Sequence, residues 1–136
     1  MKKIVLALGL ASSLGSTSVP AFAAAPADVA PADRYFGRLQ MSILGVRNAL
    51  HDLSARLDAH PEDAEHVYDK ALLVEDALHD WAKKFPKDPW IPKYAYALAE
   101  LYRKVDTDEA RTAMNDALDW LISSYPSSEY ARMGRI

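Results

Sequence analysis

Two pairs of residues, Glu62 with His66 and Glu75 with His79, place a carboxylate and an imidazole four positions apart. On a helix that spacing brings both side chains to one face, within reach of a single metal ion. Each pair supplies only two ligands, and protein zinc sites take three or four. The pattern therefore reads as an exposed polar face, and no metal or other cofactor is expected. His51 and His60 have no carboxylate at this spacing.

The stretch from Asp58 to Asp80 carries eight acids against one base, Lys70. It lacks the D-x-D-x-D-G order of a calcium loop, so it reads as a solvated helix face or a docking surface for a cationic partner. No Gly-rich phosphate loop, G-x-S-x-G or H-E-x-x-H occurs. With five glycines, two of them in the first 23 residues, the chain has little of the backbone freedom that active-site loops use. The expected function is non-catalytic.

Any such surface must be carried by a fold, and the first segment stands outside it. Lys2 and Lys3 give a positive start, residues 4–11 an apolar run too short to span a bilayer, and Pro20–Ala23 a small-residue cleavage site. These are the parts of a secretory signal peptide over residues 1–23, cleaved between Ala23 and Ala24. No cysteine follows to take a lipid anchor, and no later run is long enough to cross a membrane. The expectation is a soluble, periplasmic protein. Its cleaved form has fourteen basic residues (sixteen less Lys2 and Lys3) against nineteen acids, a net charge of −5. That balance disfavours nucleic acid as a partner.

Residues 24–32, rich in Ala and Pro, read as a flexible tether. The domain then spans 33–136. Asp33 is a candidate N-cap, followed by Phe36, Leu39, Ile43, Val46, Leu50, Leu53 and Leu57, spaced three and four apart on one helical stripe. Pro61 begins a second helix running to Lys84, with Val67, Ala71, Val74, Leu78, Trp81 and Phe85 inward. Pro86, Pro89 and Pro92 then end that helix and start the next, Asp88 being the cap. Ile91, Tyr94, Leu98, Leu101 and Val105 form its inner stripe. A fourth helix follows the acidic turn 106–109, and Tyr125-Pro126 precedes a short last helix. The fold class is all-α, with antiparallel helix pairs joined by short connections.

Phe85-Pro86 and Tyr125-Pro126 each close an amphipathic helix, forty residues apart. From Trp81 to Arg132 the chain resembles a degenerate tetratricopeptide (TPR) unit, through the Leu98/Tyr102 pair, the Ala110, Met114 and Ala117 series and the closing aromatic-Pro. It is similar to repeats of exported bacterial outer-membrane-assembly lipoproteins and cell-division coordinators. The resemblance implies two TPR-like helical hairpins plus a short capping helix, with the first helix of each pair lining a groove. Lys93, Tyr96, Glu100 and Arg103, on a stripe turned from the core, would then form a recognition surface with Arg38, Met41, Asn48 and Asp52. The leading expectation is a periplasmic adaptor that binds a protein or extended peptide in the cell envelope. The alternative is an inhibitor that blocks an exported hydrolase through the acidic second helix.

Overall fold

The computed structural model of the chain describes residues 28–136. The signal peptide, its cleavage site at Ala23 and Ala24, and residues 24–27 lie outside the described residues. Five helices make the framework: α1 (Ile43–Ala59), α2 (Ala64–Lys84), α3 (Ile91–Val105), α4 (Asp108–Ser124) and α5 (Glu129–Gly134). A two-stranded hairpin, β1 (Tyr35–Phe36) and β2 (Met41–Ser42), precedes them, paired antiparallel with Tyr35 opposite Ser42 and Phe36 opposite Met41. The molecule is thus all-α apart from this hairpin. Short connections fold each helix back on its predecessor, and α3 packs against all four others.

The helix starts follow from local chemistry. Ser42 caps α1, Thr107 caps α4 and Ser128 caps α5, each side-chain oxygen accepting from the amide three residues on. Pro61 to Asp63 form one 3-10 turn leading into α2, as a proline in the first turn allows. Between α3 and α4 the chain reverses at Asp106, whose φ of 56° is left-handed.

The first helix corrects the sequence expectation. It starts at Ile43 under Ser42, ten residues after the proposed cap Asp33. The spacing of Phe36 and Leu39 matched a helix, but the backbone turns left-handed at Gly37 (φ 70°) between them and at Gln40 (φ 51°) just after. Two carboxylates on α2 fix that turn, Asp80 accepting from the Gly37 amide (2.9 Å) and Asp76 from the Arg38 amide (2.8 Å). A Cβ on residue 37 would lie 2.7 Å from the Ala77 Cα, so the position needs glycine for space as well as for φ. Phe36 is buried and stacks on Trp81 with ring centroids 5.7 Å apart, whereas Leu39 is 56% exposed.

The core stripes of α2 and α3 match the periodicity. Val67, Ala71, Val74, Leu78 and Trp81 are buried, as are Ile91, Tyr94, Leu98, Leu101 and Val105. Phe85 is half-buried, edge-on to Phe36. Trp90, not the expected Asp88, is the N-cap of α3, and the turn before it is tied together by Asp88. Its carboxylate, 1% exposed, accepts from the Trp81 indole N–H (3.1 Å), the Trp90 amide (3.0 Å) and the Ala30 amide (3.3 Å). A buried carboxylate needs such donors in place of water. One consequence concerns the tether: its residues 28–32 lie on the fold, Ala30 being buried and Asp28 paired with Lys87 at 3.3 Å.

Candidate functional site

The eight residues expected to form one recognition surface fall in several places. On α3, Tyr96 is half-buried, its ring 6.1 Å from that of Tyr130 on α5, so it packs two helices together instead of facing outward. Glu100 pairs with Arg103 at 2.6 Å. Lys93 lies over the Trp90 ring at 5.2 Å, near the strap of residues 28–32. Asn48 accepts from Arg47 on the exposed side of α1, and Arg38 pairs with Asp76 at 3.4 Å. Between α1 and α3, Lys104 donates to Asp58 and to Ser54 at 2.8 Å each, closing that seam with an ionic tie. Lys104 thus closes one end of the α1–α3 seam, while at the other end Lys93 borders a second cavity of about 430 Å³ lined by Ile43, Leu44, Trp90 and Tyr94.

Met41 and Asp52 do come together, in a different place. They line an open groove of about 590 Å³ bounded by the hairpin, α1 and α2. Its floor is apolar: Leu39 and Met41 from the hairpin, Ala49 and Leu53 from α1, and Leu73 and Val74 from α2. Its rim carries Asp52 and Arg56 on one side and His66 and Lys70 on the other. No residue of α3, α4 or α5 takes part. The groove exists because the stripes of α1 and α2 are wider than the contact between the two helices. Leu73 stands one position before the core residue Val74 and widens the α2 stripe toward the hairpin.

The rim charges are unequally satisfied. Arg56 pairs with Asp63 at 2.7 Å, and Asp52 with His51 at 3.1 Å. Lys70 has no carboxylate partner among the described residues. The single base of the acidic stretch thus stands at the edge of the apolar groove. The acids Glu65 and Asp69 lie on another side of α2, with Tyr68, Thr107 and Glu109 around a cavity of about 410 Å³ toward α4.

Neither carboxylate–imidazole pair gathers a third ligand among the described residues. Glu62 turns to His60 at 3.2 Å, while His66 joins the groove rim. Glu75 meets His79 at 3.6 Å and accepts a 2.6 Å hydrogen bond from the Tyr102 hydroxyl, while the His79 ring lies 4.2 Å from Trp120. Burial pushes the Glu75 carboxyl up, but the bonds from His79 and Tyr102 outweigh it and leave the group below its usual 4.5. The Tyr102 hydroxyl is pushed up, by burial and then by the bond to Glu75. These groups join α2, α3 and α4 structurally. Among the described residues no group of three or more His, Asp or Glu could hold a metal ion, and no helix is long and apolar enough to cross a membrane.

The sequence signal for the groove was available in part. Lys70 was visible as the lone base among eight acids. Leu39 was assigned to the interior, because a helix through 36–43 would have turned it inward, whereas Leu53 is partly buried against the core and borders the groove. The described residues therefore define a class, an all-α helical stack with an open apolar groove between the hairpin, α1 and α2. No family model, curated protein or solved structure matches the chain.

Proposed function

We propose that this chain is a non-catalytic, TPR-like adaptor of the bacterial periplasm that holds a segment of a partner protein in the groove between the hairpin, α1 and α2. The observation that carries this reading is the open apolar floor of Leu39, Met41, Leu53 and Leu73. Apolar floors with a polar rim are what helical and extended segments dock against. The helix-pair reading is supported by the way α3 packs on α1, α2, α4 and α5, and export by the leader pattern of residues 1–23.

A capture experiment tests it. The chain and its Leu39→Asp variant, immobilised side by side, are exposed to periplasmic extract. The adaptor reading expects envelope proteins that the parent retains and the variant loses, and equal retention by both would sink it.

The inhibitor reading has its own supporting observation, the acidic cavity of Glu65, Asp69 and Glu109 around Tyr68. It expects one basic enzyme, released by salt and by Asp69→Lys, and indifferent to Leu39→Asp.

A further inference from the structure

The groove can be read for the chemistry of what it holds, an argument that rests on its being the binding site. Its long walls are two helices. Ala49 and Leu53 stand one turn apart on α1, and Leu73 and Val74 face them from α2. A third helix laid along this trough would set apolar residues at i, i+3, i+4 and i+7 on the floor, as helix-in-groove recognition does. The exposed Leu39 at the hairpin tip supplies the lip.

Charge then selects among such helices. Arg56 is already engaged by Asp63, and Asp52 meets only the His51 imidazole, which is a counter-ion solely when protonated, so Lys70 is the rim cation left without a carboxylate partner among the described residues. The other lysines of α2 stand in its last turn, away from the groove: Lys83 borders a cavity beside Trp120, and Lys84 is held by Asp80 at 2.8 Å. A bound helix with lysines at its flanks would face Lys70 with like charge, whereas one with carboxylates would complete the pair. The chain's own residues 1–27 are a poor occupant on this ground, having Lys2 and Lys3 and no acid.

We infer that the groove takes an amphipathic helix of a partner protein whose apolar stripe is flanked by carboxylates, with Lys70 as the residue that selects the acidic flank.

Two synthetic helices of about 15 residues test this, sharing one leucine stripe and differing only in flanking residues, all Glu or all Lys. Binding of each to the purified chain is read by fluorescence anisotropy at low salt. The Glu peptide is expected to bind about tenfold more tightly than the Lys peptide, with the preference lost or reversed in Lys70→Glu and the binding of both lost in Leu39→Asp. Lys70 and Leu39 are exposed, so both variants are expected to fold, which their thermal midpoints check.

Equal binding of the two peptides, still abolished by Leu39→Asp, overturns the acidic-partner inference and leaves the groove as the site. Binding of neither peptide, or binding indifferent to Leu39→Asp, overturns the groove reading with it. A concentration-dependent dimer of the chain that Leu39→Asp dissolves also overturns the inference, because it assigns the trough to a second copy.

Discussion

The two ends of the helix stack finish differently. At the C-terminal end α5 lies on α3 and α4, with Ala131 fully buried, Tyr130 against Tyr96, and Gly134 so close that a Cβ there would stand 3.1 Å from Leu118. At the N-terminal end a two-residue-per-strand hairpin does the covering, and it covers only part. Phe36 plugs the core at Trp81, while three residues later Leu39 stands in solvent beside an unfilled trough. The same device, a short element laid over a helix pair, closes one end and leaves the other open. An apolar face left open on a small acidic protein is where binding is expected.

Substitutions divide along this line. The largest effect is expected where the groove floor meets the core, at Val74, 2% exposed; Val74→Asp should cost about 4 kcal/mol, seen as loss of the cooperative thermal transition. Next comes Asp88→Ala, which strips the partner from two buried donors on the strap and α2 and a part-buried one in the turn before α3; a loss of about 3 kcal/mol in chemical denaturation is expected. Gly37→Ala, strained in φ and pressed on Ala77, should cost about 2 kcal/mol and loosen the hairpin that forms the groove lip.

A pH effect follows in size. The Glu75 carboxyl, lowered on folding, contributes stability that is complete above its usual 4.5 and is lost as pH falls through its folded value. Asp80 acts in the same direction, lowered by the hydrogen bonds from Lys84 and then from the Gly37 amide. Denaturation midpoints should therefore fall on acidification below pH 4.5, and less steeply in Glu75→Gln. The smallest effect on stability belongs to the open end. Leu39→Asp should change the unfolding free energy by no more than about 0.5 kcal/mol, while abolishing partner binding.

Most of the helical framework was legible in the sequence, because the inner stripes of α2 and α3 repeat cleanly and prolines mark their ends. The hairpin was not. Phe36 and Leu39 keep a helical spacing to Ile43, and spacing alone does not reveal that Gly37 and Gln40 adopt left-handed geometry when Asp80 and Asp76, some forty residues away, accept from the Gly37 and Arg38 amides. The misreading carried over to the site. A helix through this region buries Leu39, whereas a hairpin exposes it and opens the groove beneath. Tyr96 failed for a related reason: its partner Tyr130 belongs to a helix of six residues, too short for its packing face to be read from periodicity. Met41 and Asp52, expected on one surface with Tyr96 and Arg103, instead share the groove with Leu39, Leu53 and Leu73.

The claim that the groove is the binding surface is tested most directly by amide chemical-shift mapping of the chain titrated with the Glu-flanked helix. The account predicts that shifts concentrate at Leu39, Met41, Ala49, Leu53, Lys70 and Leu73 and leave Tyr96, Glu100 and Arg103 unmoved. Shifts centred on the α3 residues instead, with Leu39 and Leu73 unmoved, would contradict it.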